Sequence, residues 1–191
     1  MIRLLLPAML LTATPVPGPA ADMMPSDPVL RTLLEGDAAV ANGDHAGLLD
    51  TAQVLKALGA TPVEGQDDLA VAWTDTAHAH GVTRSALGFR GRALGPAYRR
   101  GSLVAGGSFT MRQLFLAGQR AQISVAPAGG ATGRGTGLSI RVQGTDGATL
   151  CAKPVGGPQA DCAWLPVFTD RYDIVIENGG SMPATFYLIV R

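Results

Sequence analysis

The chain has 191 residues with 15 basic and 15 acidic side chains, so its formal net charge is zero; 47% of residues are hydrophobic and 16% charged. That balance predicts a folded chain and excludes disorder over its length. It also argues against nucleic-acid binding, which calls for a strongly basic surface. The charges are segregated along the sequence. Asp22 to Asp75 holds ten acids against Arg31 and Lys56, whereas Thr76 to Thr145 holds nine arginines and no acid. Such blocks mark separate modules, or two surfaces that face each other.

Residues 1–21 read as a cleaved signal peptide. Met1-Ile2-Arg3 supplies the positive start, Leu4 to Ala13 the apolar run, and Gly18-Pro19-Ala20-Ala21 the small-residue cleavage zone. The run is too short for a membrane span, which takes about 20 apolar residues, and no later segment approaches that length. The expectation is a periplasmic or secreted protein of about 170 residues. In that oxidising compartment Cys151 and Cys162 are expected to form one disulfide, worth roughly 3 kcal/mol for a loop of about a dozen residues. Two cysteines do not complete a zinc site of the common four-ligand type.

An acidic helical module is expected over residues 22–83. Asp27-Pro28 reads as an N-cap and first-turn proline leading into Val29, Leu30, Leu33 and Leu34. A second helix runs from about Asp44 to Leu58, with Leu48, Ala52, Leu55 and Leu58 on one face and Gly59 at its end. A third starts near Gln66-Asp67-Asp68 and carries Leu69, Ala72, Trp73 and Thr76. Their apolar faces are narrow, so they are expected to dock on another module, with Trp73 as the plug.

Residues 84–107 form a Gly- and Arg-rich connector without clear periodicity. Short alternating runs then predict strands at Phe109–Leu116, Ala121–Ala126, Gly137–Gln143, Ala148–Ala152, Trp164–Phe168, Arg171–Glu177 and Ala184–Val190. Seven short strands over 108–191 suit an antiparallel β-sandwich, jelly-roll-like, with one disulfide. The predicted fold class is therefore α+β: short N-terminal helices packed on a C-terminal sandwich.

The sandwich resembles the pre-peptidase C-terminal domain family, small secreted β-sandwiches attached to exported enzymes. The residues that carry it are Phe115-Leu116-Ala117-Gly118-Gln119, Leu138-Ser139-Ile140-Arg141-Val142 and Asp146-Gly147 before the first cysteine. After the second cysteine come Trp164, Pro166, Thr169, Tyr172, Ile174, Val175, Asn178 and Tyr187-Leu188. The resemblance covers residues 108–191 and implies a non-catalytic accessory module. Relatives that hold calcium use acids near the start of the sandwich, an interval that is free of acids here.

No catalytic set is legible. His78-Ala79-His80 has positions that diverge on a helix, and no serine sits in a nucleophile elbow. The run Gly129 to Gly137 lacks the ending of a phosphate loop and precedes a strand. Asp146, Asp161, Asp170 and Asp173 are the carboxylates a loop-borne hydrolase site would draw on. No metal and no cofactor is expected.

The candidate binding residues are Arg90, Arg92, Tyr98, Arg99 and Arg100. Planar guanidinium groups suit carboxylates, phosphates and aromatic faces. They would grip an anionic envelope polymer or an acidic protein partner, or else clamp the acidic helices onto the sandwich. The functional expectation is an exported non-catalytic binding or adaptor protein of the bacterial envelope. The alternatives are a secreted hydrolase and a structural partner protein.

Overall fold

The computed structural model describes residues 24–83, 95–129 and 136–191. The predicted signal peptide, the connector arginines Arg84, Arg90 and Arg92, and most of the glycine-rich run lie outside the described residues.

Three helices come first: α1 (Pro28–Asn42), α2 (His45–Ala57) and α3 (Leu69–Ala79). Each starts at an aspartate whose carboxylate accepts from first-turn N–H groups that have no partner within the helix. Asp27 accepts from Val29 and Leu30, Asp44 from Gly47, and Asp68 from Ala70 and Val71. Gly43 ends α1 in the left-handed conformation at φ 66°, which favours glycine. Trp73 of α3 packs on Gly36 of α1, so the contact shown for it joins two helices. A Cβ at Gly36 would lie 2.2 Å from the indole ring.

The strands are β1 (Thr61–Pro62), β2 (Ala97–Leu103), β3 (Ser108–Phe115), β4 (Ala121–Pro127), β5 (Leu138–Gln143), β6 (Thr149–Pro154), β7 (Ala160–Trp164), β8 (Asp170–Asn178) and β9 (Ala184–Val190). They form two sheets, one in the order β1-β2-β9-β4-β7 and the other β3-β8-β5-β6. All pairings are antiparallel except β1 with β2. The fold is α+β, with a sandwich whose first sheet is covered by the helices on its outer side.

Two cores result. Between the sheets lie Phe115, Ile123, Val125, Leu138, Ile140, Val142, Ile174, Ile176, Phe186 and Leu188. Between helices and sheet lie Val29, Leu30, Leu33, Leu48, Leu55 and Trp73, facing Tyr98, Ala126, Tyr187 and Ile189. β9 serves both, so Phe186, Tyr187, Leu188 and Ile189 are all buried. A strand buried on both faces reads as a continuous apolar run.

Cys151 on β6 and Cys162 on β7 form a disulfide that joins the two sheets along one side, with a Cα–Cα separation of 5.9 Å. Two expectations need correction. The run Ala97–Leu103, read as connector, is a full strand of the helix-covered sheet. Its period is hidden because its buried positions, Tyr98 and Leu103, fall on opposite faces with two arginines between them. The strand placed at Trp164–Phe168 is β7 at Ala160–Trp164, and residues 165–169 form a loop. Pro166 has no N–H to give a ladder there.

Candidate functional site

Of the five residues singled out for binding, Tyr98, Arg99 and Arg100 fall within β2. Strand alternation sends Tyr98 and Arg100 toward the helices and Arg99 toward the second sheet. Tyr98 is buried, and its hydroxyl accepts the N–H of Leu69 at 2.8 Å and reaches Asp68 Oδ1 at 3.4 Å. Burial, with the Asp68 charge added, pushes its pKa above the ordinary tyrosine value. Tyr98 therefore pins β2 to the start of α3.

Arg99 lies with its guanidinium carbon 4.4 Å from the centre of the Phe109 ring, on the side of the sandwich where β2 turns into β3. A cation over an aromatic face is attractive and, partly desolvated, worth about 1 kcal/mol. Its Nε is buried without a hydrogen-bond partner among the described residues.

Arg100 sits 5.7 Å over the Tyr187 ring and 3.5 Å from Asp37 Oδ2 on α1. Tyr187 donates its hydroxyl to the other oxygen of the same carboxylate at 2.9 Å. Burial and the Asp37 charge raise the Tyr187 pKa above its ordinary value. All three described candidates thus make contacts inside the molecule, two of them to the helices.

Beside Arg100 lies a cleft of about 390 Å³ lined by Gly65, Gln66, Asp67, Leu69, Tyr98, Arg100, Gly101, Ser102 and Thr185. It sits where the β1–α3 loop passes over β2 and β9. Its size is at the small end for ligand pockets.

A second surface lies where β3, β7 and β8 meet at one end of the sandwich. Leu116, Leu165, Val167 and Phe168 are exposed there, the last two at 77%. Their loops are tied together: Gly118 N donates to Pro166 O at 2.9 Å, and Ala117 N to Thr169 Oγ1 at 3.0 Å. Beneath them Trp164, Phe115 and Tyr172 form an aromatic cluster with ring centres 4.9 to 5.9 Å apart. Trp164 Nε1 is buried without a partner among the described residues. Arg120 and Arg171 flank the loops, both exposed and neither in an ion pair among the described residues.

The four carboxylates considered for hydrolysis are individually engaged. Asp173 is held bidentate by Arg112, and Asp161 accepts from Ser124 at 2.6 Å and from Gln159 at 2.7 Å. Asp170 accepts from Thr145, and Asp146 from its own turn at Ala148. Asp161 and Asp173 belong to different sheets. His45 and His80 stack at 3.7 Å, joining the start of α2 to the end of α3. Among the described residues no three His, Cys, Asp or Glu side chains are grouped to hold a metal, and no helix is long and apolar enough to cross a membrane.

No protein-family model matches the chain, and no curated protein matches it in sequence. Solved structures do share its sandwich. The pre-peptidase C-terminal domain of collagenase from Bacillus anthracis is similar over 49% of this chain and 87% of that one, at 16% identity and a TM-score of 0.40. PliG of Aeromonas hydrophila, a periplasmic inhibitor of g-type lysozyme, is similar over 50% and 83%, at 17% identity and a TM-score of 0.36. The mitogen of Yersinia pseudotuberculosis is similar over 50% and 83%, at 10% identity and a TM-score of 0.41. These likenesses concern architecture and carry no argument about function.

The sequence reading missed the exposed loop end and the His45–His80 stack. Leu165-Pro166-Val167-Phe168 reads as strand by composition, and only the proline signals that its side chains are free. The stacking partners are separated by two helices, and no local pattern links them.

Proposed function

We propose that the protein is an exported, non-catalytic binding or adaptor protein of the bacterial envelope. In this reading the sandwich meets its partner through the loop end at Leu116, Leu165, Val167 and Phe168. The observation that carries it is the exposure of these four side chains on loops that hydrogen bonds hold in place. Clustered exposed apolar side chains with a polar rim mark interaction sites, and a preformed surface binds at a lower entropic cost.

The rim supplies the chemistry of the partner. Arg120 and Arg171 make no ion pair among the described residues, so an acidic protein surface with an apolar centre fits. Arg99 and Arg100 make contacts inside the fold, so this reading looks to the sandwich loops rather than to those two arginines. The disulfide between Cys151 and Cys162 suits an oxidising compartment, in keeping with the leader-like residues 1–21.

The test compares capture of envelope proteins by the wild type, by a Leu165→Ser/Val167→Ser/Phe168→Ser variant, and by an Arg90→Gln/Arg92→Gln/Arg99→Gln/Arg100→Gln variant. The reading expects the loop variant to lose its partner with unchanged melting. Capture that survives the loop changes and disappears with the arginines would return the site to the connector.

A further inference from the structure

We propose that the outer edge of β2 beyond Tyr98 accepts an extended peptide strand carrying a lysine or arginine, with that cation set against Asp67 in the adjoining cleft. The edge lies toward the opposite end of the sheet from the sandwich loops, so this proposal and its test are independent of theirs.

Among the described residues the edge is open because β1 is short. β1 pairs only with Ala97 and Tyr98, and the ladder ends where Val63 N donates to Tyr98 O at 2.8 Å. The chain then turns away: Gln66 N donates to Val63 O, and Gly65 adopts a φ of 77°. β2 itself continues to Leu103, paired with β9 along its whole length on the inner side. Main-chain groups alternate sides along a strand, so Arg100 and Ser102 point theirs the same way as Tyr98 O. Among the described residues no strand pairs with that side past Tyr98. Such an edge is a template for an added strand.

The cleft gives the edge its side-chain pocket. It lies directly beyond the end of β1 and is lined by Arg100, Gly101 and Ser102 of the open stretch, with Thr185 opposite Ser102 on β9. Its far wall is the loop carrying Gly65, Gln66 and Asp67. A strand laid along the edge would therefore drop alternate side chains between that wall and the sheet.

Charge selects the occupant. Arg100 already faces Asp37, and Asp68 caps α3 and meets the Tyr98 hydroxyl. Asp67 and its neighbour Glu64 are exposed and make no ion pair among the described residues. Among the described residues the unmatched charge at the cleft is negative, so an acidic strand is repelled and a basic one is held.

The experiment is an NMR titration of the isotope-labelled protein with a short peptide alternating threonine and lysine. Its controls are the threonine–glutamate counterpart and a backbone N-methylated threonine–lysine peptide. The expected result is saturable shifts and slowed hydrogen exchange at the Arg100 and Ser102 amides. Neither control should produce them, and Asp67→Asn should weaken binding roughly two- to fivefold. Four results overturn the proposal: no change at those amides, equal binding of the acidic peptide, equal binding of the N-methylated peptide, or amides already protected in the free protein. Asp67 makes no hydrogen bond or ion pair among the described residues, so its substitution leaves folding intact as a control.

Discussion

Arg191 closes onto Asp27 across the boundary between helices and sheet, donating to both oxygens of the carboxylate that caps α1. Burial opposes the charge on Asp27, but the Arg191 hydrogen bond and charge, with the N–H groups of Leu30 and Val29, outweigh it and hold its pKa below the ordinary value. The first turn of α1 and the end of β9 thus share one buried carboxylate.

Asp27→Asn keeps a capping oxygen and loses the charge. It should cost about 1–3 kcal/mol at neutral pH. Because the folded pKa is depressed, this contribution is complete above the unfolded value of about 4 and is lost as pH falls through the folded value. Urea unfolding of both proteins across that window should show the gap closing toward low pH. A gap of constant size would mean the charge contributes nothing.

Gly36→Ala ordinarily favours a helix by about 1 kcal/mol. Here the new methyl group meets the Trp73 ring at 2.2 Å, and the nearest atoms belong to a buried indole that has little room to move. The expected outcome is a net loss of about 1–3 kcal/mol, with a change in Trp73 fluorescence as α1 and α3 separate. A stabilised variant with unchanged emission would show that the helices repack freely.

Tyr187→Phe and Arg100→Gln separate two contacts to Asp37. The tyrosine hydroxyl is buried, so its removal should cost about 1–2 kcal/mol. Arg100 is 48% exposed in its side chain, and its pair with Asp37 is long, so its substitution should cost well under about 1 kcal/mol. Thermal melts of the two single variants check the order, which reverses if Arg100 is the main clamp on α1.

Val167→Ser and Phe168→Ser alter side chains that are 77% exposed. Their stability should stay within about 0.5 kcal/mol of the parent. Aggregation at high concentration should fall as the apolar loop end is made polar. Differential scanning calorimetry with light scattering measures both. A large fall in melting temperature would place these side chains in the fold's own packing.

Much of the fold was legible because its signals are local. The three aspartate caps, the helical spacing of Leu30 and Leu33, and the alternation Leu138/Ile140/Val142 each declare an element within a few residues. β2 was not legible, since its buried positions Tyr98 and Leu103 fall on opposite faces and Arg99 spends its stem and charge on Phe109. The run Phe186-Tyr187-Leu188-Ile189 shows the helical cover in hindsight, because a sandwich strand with one wet face would alternate. The cleft and the open edge were out of reach. They depend on where β1 stops along β2, a matter of a single main-chain bond.

β9 supplies both cores from the middle of its sheet, yet it is the latest strand in chain order. A chain that emerges N-terminus first can form its helices and the β3–β8 pairing while still incomplete, but neither hydrophobic layer can close before β9 arrives. Pairing β2 with β9 then joins residues from 81 (Leu103 with Ala184) to 93 (Ala97 with Val190) positions apart, the kind of long-range closure that slows folding. The order of the strands therefore leaves both hydrophobic layers, and the helical cover with them, unclosed until β9 is in place.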